Sequence, residues 1–396
     1  MNICLVPSAK LSYESGSTIY AASVASALTK KGHFVQVICS EIPPLGVGQL
    51  EGLQYHTVDV MEHPVIDDYA VDSARMMESI CAIASKIVAL NRVQKIDIIH
   101  AHYATINAIA AMTASLVIGV PVVVTCFGRD LNNGYENDER YKRMVLAALN
   151  GCTRVICSSK EILERAIEIG AAEAKLQVMQ NPIDLERFFV GENLEPWGHS
   201  LKFLTVVSCF GPEKGIEITI EGFRRYLEAS GASARLQIVG QDEHPQQKNL
   251  HLIEKKIAEC GLGKQVELIG PVNNSEVANL LRESDVLVDS RLVGNFSTVV
   301  LEALSCGTVV IASDAPGNAA ILKGELSRLM YKRGDAASLA LLLEDLTRDA
   351  SRFGKIKHQI VKWREASADT YGISEHVKHL VELYEQQIKE MKTHGV

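Results

Sequence analysis

The residues best placed for chemistry lie between Asp285 and Gly317. A Gly-Asn-Phe-Ser loop, residues 294–297, runs directly into a helix predicted over Thr298–Ser305, with Glu302 one turn inside it. A helix N-terminus offers N–H groups with no intrahelical partner, together with the positive end of the helix dipole, and so suits a phosphate. A carboxylate slightly further along can accept hydrogen bonds from both hydroxyls of a ribose. This spacing fits a nucleoside diphosphate; it also fits an ordinary βαβ turn carrying a surface glutamate. In the first half of the chain, His100 and His102 stand at a predicted strand end and are followed by Tyr103. A tyrosine there is either a ligand contact or a core residue whose hydroxyl needs a partner.

These residues need elements to hold them. Residues 285–290 and Thr308–Ala312 are short apolar runs, the pattern of strands buried on both faces, and Cys306-Gly307 stops the helix between them. The whole chain repeats this alternation. In the first half, strands are predicted at Asn2–Val6, Phe34–Cys39, Ile96–His100, Val122–Thr125, Arg154–Cys157 and Leu176–Met179. Helices are predicted at Thr18–Lys31, Asp72–Asn91, Ala104–Val117, Glu139–Ala148 and Lys160–Ile169, with loops at Ser8–Gly16 and Pro43–Gly48. In the second half, strands are predicted at Phe203–Val207, Arg235–Val239, Val266–Ile269 and Leu329–Tyr331. The matching helices are Gly215–Ala229, Leu250–Cys260, Ser275–Glu283, Ala336–Ala350 and His376–Met391. Such alternation predicts an α/β chain of doubly wound, parallel, Rossmann-like sheets. Asn181-Pro182 breaks the pattern, and Gly191–Ser200, with Pro196, reads as a linker. Two domains follow, 1–190 and 200–371, with the ligand cleft expected between them at the carboxyl ends of the strands.

The composition agrees with two globular domains. The chain has 396 residues, of which 47% are hydrophobic and 22% charged. A net charge of −8 argues against a nucleic-acid or anionic-membrane surface. Nine cysteines are scattered, mostly within apolar runs, as expected of buried thiols in a reducing, cytoplasmic setting. No Cys or His spacing suggests zinc. Ile3–Val6 is too short for a signal-peptide core. Residues 106–125 carry no charge over about the length of a membrane span, yet Asn107, Thr113, Ser115 and Gly119-Val-Pro121 favour a buried helix, a turn and a strand.

Seven landmarks, in order, then carry a resemblance. They are Ser15-Gly16-Ser17, residues 97–103 (Asp-Ile-Ile-His-Ala-His-Tyr), residues 125–130 (Thr-Cys-Phe-Gly-Arg-Asp), residues 181–188 (Asn-Pro-Ile-Asp-Leu-Glu-Arg-Phe), Pro212-Glu-Lys-Gly215, Val266-Glu-Leu-Ile-Gly270, and Phe296 through Gly307 with Glu302. Over nearly its whole length the chain resembles the family 4 retaining glycosyltransferases of the GT-B fold. Residues 372–396 resemble that family's C-terminal helix, which crosses back onto the first domain. Taken together, the landmarks imply transfer of a sugar from a nucleotide-sugar donor to a small polar acceptor, with no metal and no other cofactor. Lys214 and Glu302 are implied at the centre, with Lys214 on the donor diphosphate, where a compact ammonium acts as a point charge. Donor contacts are implied from Gly16, Pro271, Val272, Gly294, the backbone amides of Ser297, Thr298 and Val299, and Glu302. Acceptor contacts are implied from the first domain, with Tyr103, Arg129 and Asp130 as candidates.

Three positions depart from the family pattern. Phe127 replaces a histidine, Cys209 an arginine that meets the diphosphate, and Gly294 a glutamate that meets the donor sugar. Arg129 is a candidate to supply the missing positive charge. The stretch 102–111 resembles enzymes that place N-acetylglucosamine on small acceptors, as in bacillithiol synthesis. Phe127-Gly-Arg-Asp130 resembles aminoglycoside-pathway transferases, which serve antibiotic biosynthesis and glycosylate 2-deoxystreptamine. UDP-N-acetylglucosamine is the donor that these likenesses favour. Asp130, Glu136, Asp138 and Glu139 would favour a cationic aminocyclitol if they edged a cleft, but they read better as an acidic first helical turn. A UDP-N-acetylglucosamine 2-epimerase of the same fold and a non-catalytic nucleotide-sugar-binding partner are the competing readings. A homodimer stays open.

Overall fold

The computed structural model describes residues 1–7, 16–42, 50–59, 73–132, 138–191, 200–242, 246–293 and 296–394. Residues 8–15 of the predicted loop Ser8–Gly16, the predicted loop 43–48, Glu136, Gly294 and most of the linker stretch fall outside them. The chain forms two compact units, one of Met1–Pro182 with Ile373–Val396 and one of Ile183–Gly372. Residues 183–191 thus join the second unit ahead of the linker-like stretch. Ile183 and Phe188 are buried in that unit's core, and Arg282 donates to the Arg187 carbonyl at 3.1 Å.

The first unit is built on seven parallel strands: β1 (Asn2–Val6), β2 (Phe34–Cys39), β3 (Leu53–Thr57), β4 (Ile98–His102), β5 (Val122–Cys126), β6 (Arg154–Cys157) and β7 (Leu176–Val178). Their order across the sheet is β3-β2-β1-β4-β5-β6-β7. Successive residues of a strand face opposite sides, so each central strand feeds two cores. Ile3 and Leu5 pack with Tyr20, Val24 and Leu28 of the helix Gly16–Lys30 and with Val377, Leu380 and Tyr384 of the helix Ile373–His394. Cys4 and Val6 face the other side, with Ile80 and Ile87 of Ser73–Val93 and Ala108 and Ala111 of Ile106–Ile118. β3 is an unpredicted edge strand. Its sequence, Leu-Gln-Tyr-His-Thr, is polar because it is only partly covered, and it pairs with β2 in register.

β4 lies two residues downstream of its predicted position. The Asp97 carboxylate accepts from the Asn2 N–H at 2.7 Å, and the Asp97 N–H donates to the Asn2 carbonyl at 2.9 Å. That register sets Ile98 opposite Ile3 and carries the strand on to His102, opposite Thr125. The uncharged run 106–125 is the buried helix Ile106–Ile118, a left-handed Gly119 whose N–H caps Ser115 at 2.8 Å, and β5. Among the described residues, no helix is long and apolar enough to cross a membrane.

The second unit holds six parallel strands: β8 (Leu201–Cys209), β9 (Ala234–Gln241), β10 (Val266–Gly270), β11 (Val286–Asp289), β12 (Val309–Ser313) and β13 (Met330–Tyr331). Their order is β10-β9-β8-β11-β12-β13. The helix predicted over Ala336–Ala350 runs over Ala336–Thr347, and an unpredicted helix, Ala350–Tyr371, follows it. Asp349 separates them because its carboxylate caps the second, accepting from the Ser351 N–H at 2.8 Å. That second helix was invisible to periodicity: only the narrow stripe Phe353, Ile356, Lys357 and Ile360 is buried. Strand order reverses between β1 and β4 in one sheet and between β8 and β11 in the other. At such a reversal the flanking connections leave in opposite directions, and a crevice opens at the strand C-termini.

Candidate functional site

In the second unit, the residues of interest gather at the β8/β11 reversal. β8 ends at Cys209, and the chain turns through Pro212–Lys214, a single 3-10 turn. Two contacts press this turn onto the end of β11. The Leu292 N–H donates to the Glu213 carbonyl at 2.7 Å. Gly215 lies so close that a Cβ would stand 2.0 Å from the Ser290 carbonyl oxygen, and its φ of +65° also calls for glycine. Below, the Thr219 and Ser290 hydroxyls share a hydrogen bond of 2.6 Å. Lys214 is therefore carried by a rigid turn. Its ammonium lies 3.5 Å from the Glu213 carboxylate and is partly exposed.

The helix Thr298–Ser305 forms over the residues predicted for it. Ser297 is its N-cap, in an extended conformation, but makes no side-chain cap bond. Its buried hydroxyl donates instead to Asp289 Oδ2 at 2.8 Å. The first-turn amides of Thr298 and Val299 thus lack the side-chain partner that an N-cap serine usually supplies. Glu302 lies one turn in. Burial pushes its carboxyl up to about 7, against the pull of the Arg187 charge. Among the described residues, nothing forms a hydrogen bond or ion pair with that carboxyl. Asp289, the last residue of β11, is buried. Burial works to raise its pKa, but the Arg291 guanidinium, the Ser297 hydroxyl and the Arg291 N–H together hold it below the usual carboxylate range. Arg291 Nε and Nη2 each approach that carboxylate to 2.8 Å. Sequence reasoning missed this Asp289–Arg291–Ser297 cluster; an aspartate ending a Val-Leu-Val run was its only visible trace. Pro271 is exposed and Val272 packs partly against the core, in the turn after β10.

In the first unit, the C-terminal ends of β4 and β5 carry an aromatic and imidazole cluster. Tyr103 follows β4 with φ 67°, a left-handed conformation rare for a bulky side chain, and its N–H donates to the Thr125 carbonyl at 2.8 Å. Its ring, and those of Tyr20 and His102, surround Phe127 at centroid distances of 5.2, 5.2 and 5.4 Å. His102 is fully buried, with no partner on either ring nitrogen among the described residues, and burial lowers its pKa to about 3. His100 is satisfied: Nε2 meets the Thr125 hydroxyl at 2.8 Å, and Nδ1 meets the Tyr384 hydroxyl. His376 meets the Tyr20 hydroxyl at 3.0 Å.

The candidate acceptor residues differ in what they can offer. Arg129 is exposed. Asp130 is buried and turned inward, its two oxygens accepting from the Ala104 N–H at 2.9 Å and the Gly128 N–H at 3.0 Å. Its carboxylate ties the loop after β5 to the loop after β4. Asp138 likewise serves its own helix, accepting from the Arg140 and Tyr141 amides, and Glu139 lies 3.6 Å from Lys142. The described members of the acidic stretch are thus helix-start and loop-tying residues. Gly16 is exposed at the start of its helix. Among the described residues, no group of His, Cys, Asp and Glu is arranged to hold a metal ion.

Residues 15–187 match Glycosyltransferase Family 4, and residues 194–363 match Glycosyl transferases group 1. The N-acetyl-alpha-D-glucosaminyl L-malate synthase of Bacillus anthracis is 24% identical over 339 residues, 82% of this chain and 82% of that protein. Among solved structures, a sucrose-phosphate synthase from Thermosynechococcus elongatus superposes with a TM-score of 0.79 at 18% identity, covering 98% of this chain and all of that one. Anabaena HepE, in complex with UDP and glucose, superposes with a TM-score of 0.75 at 15% identity, again covering 98% of this chain and all of the other.

Proposed function

The chain belongs to the family 4 glycosyltransferases of the GT-B fold, and on that premise we propose that it transfers N-acetylglucosamine from UDP-N-acetylglucosamine to a small polar acceptor with retention of configuration. One observation carries this reading. At the β8/β11 reversal, one unit carries a lysine on a rigid turn and a helix with an uncapped N-terminus and, one turn in, a half-buried carboxyl that is unpaired among the described residues. In the proposed complex, Lys214 and the amides of Ser297, Thr298 and Val299 hold the diphosphate, while Glu302 accepts from the ribose hydroxyls. Pro271 and Val272 border the base. Uridine is favoured by the UDP-bound relative of the same fold, and N-acetylglucosamine by the name of the malate synthase relative.

The proposed chemistry needs no protein nucleophile. The bond from the anomeric carbon to the diphosphate oxygen breaks, and the acceptor oxygen forms its bond on the same face. The acceptor's proton passes to the departing diphosphate oxygen. What the protein supplies is position and stabilisation of the growing negative charge. With Cys209 in place of a second cation, Lys214 and the helix N-terminus carry that task. For the acceptor, an aminocyclitol of the 2-deoxystreptamine type and L-malate are the compounds to try first. A preference for a cation draws no support from Asp130 or Asp138, since both are engaged by backbone amides.

Calorimetric titration with UDP, GDP and UDP-N-acetylglucosamine tests the donor assignment, and selective UDP binding is expected. Glu302→Ala should weaken UDP binding at least tenfold, about 1.4 kcal/mol or more, while the melting temperature stays near that of the parent. Unchanged affinity in that variant would remove Glu302 from the site.

A further inference from the structure

The Thr298 helix follows a serine that does not cap it, as the helix Ile106–Ile118 follows an uncapping Thr105, but here the hydroxyl is claimed by another side chain. Asp138, Ser159, Asn273, Asp335 and Asp349 each accept from first-turn amides of the helices they precede. Ser297 belongs to the same class of good capping residues, yet its hydroxyl points the other way, into Asp289. Asp289 is itself a costly residue for its place. It ends the apolar run Val-Leu-Val of β11 and is buried, and Arg291 must bind it with two guanidinium nitrogens to offset that burial. A hydrophobic side chain at 289 would spare both charges and leave Ser297 to cap its own helix. The carboxylate thus does something for Ser297 that stability alone does not require.

We infer that Asp289 is a positioning residue for the donor: by taking the Ser297 hydroxyl, it keeps the first-turn amides of the Thr298 helix unpartnered and ready for a nucleoside diphosphate. This rests on reading the β8/β11 end of the second unit as the donor site. A helix that caps itself must break that bond before its amides can meet a phosphate. Here the hydroxyl is held away before the ligand arrives, so the amides are already free to bind.

The test is calorimetric titration of the full chain with UDP, comparing the parent with Asp289→Ala, Asp289→Asn and the double variant Asp289→Ala with Ser297→Ala. In Asp289→Ala the released hydroxyl can turn back onto the helix, and affinity should fall roughly five- to tenfold. Asp289→Asn keeps an oxygen that accepts from Ser297, and should stay within about threefold of the parent. Removing the hydroxyl as well should restore most of the affinity lost in Asp289→Ala, because nothing is left to cap the helix. A purely structural aspartate would not be rescued by deleting a second polar group. If Asp289→Ala fails to fold because Arg291 is stranded, the comparison moves to an Asp289→Ala, Arg291→Leu background, with and without Ser297→Ala. The inference is overturned if Asp289→Ala binds as the parent does, or if removing the hydroxyl brings no recovery. Absence of UDP binding in the parent would instead overturn the donor reading beneath it.

Discussion

At the scale of single residues, Glu302 carries a titration with a definite sign. Burial pushes its carboxyl up to about 7 in the free protein. Ribose hydroxyls donating to it would favour the carboxylate and lower that value in the complex. Donor binding should therefore release a proton near neutral pH. Affinity for UDP-N-acetylglucosamine should be full above about pH 8 and fall as pH drops below 7, by up to tenfold per unit. Calorimetry in buffers of different ionisation enthalpy reads the released proton directly, and a pH-independent affinity would contradict the role. The placement of Ser297 and Glu302 at the start of a helix was legible from local spacing, whereas Lys214 was singled out by the family resemblance. Asp289 and Arg291 were legible in neither way. Their meaning comes from a side chain reaching across to residue 297, and no local spacing encodes that. Asp130 shows the reverse limit: its type suggested a ligand contact, and its neighbours' amides claimed the carboxylate.

Among the elements, the turn after β8 depends on contact between chain segments far apart in sequence. Gly215 rests on the Ser290 carbonyl with no room for a Cβ and with a left-handed φ. Gly215→Ala should displace the Pro212–Lys214 turn, destabilise the second unit by roughly 2 kcal/mol or more, and weaken UDP binding. Thermal unfolding and the UDP titration check both effects, and a parent-like result in each would show that the turn is not clamped as described. The helix Ile373–His394 depends on distant partners in the same way. Its apolar stripe was readable from spacing, but polar ties such as Tyr384 to His100 and His376 to Tyr20 join residues hundreds of positions apart. The polar edge strand β3 and the thinly buried helix Ala350–Tyr371 escaped the reading for a simpler reason: too little of either is covered to leave a hydrophobic signature.

For the molecule as a whole, both sheets were legible because their central strands are apolar on both faces and the connections alternate strictly. The first unit also encloses three imidazoles that burial keeps neutral: His100 well below its ordinary value, His102 at about 3 and His376 at about 4. All three are lowered, so the unfolded chain takes up protons first as pH falls. Their effect on stability is absent above about pH 6.5. Below it the first unit loses stability, by up to about 1.4 kcal/mol per pH unit for each histidine, until the folded values are reached. Melting temperature followed from pH 7.5 to pH 4.5 should show this decline, and a flat profile would mean that the imidazoles are hydrated in solution. Finally, the first unit is assembled from two stretches separated by the entire second unit. On the ribosome, residues 1–182 emerge first but still lack Val377, Leu380 and Tyr384, which cover one face of their sheet. At translation rates of about 5–20 residues per second, that face waits roughly ten seconds or longer for its covering helix. The later-made second unit, continuous in sequence, can close its own core sooner. The order of synthesis and the order of completion are therefore opposed, and the nascent first unit is the part of this chain that would most need a chaperone.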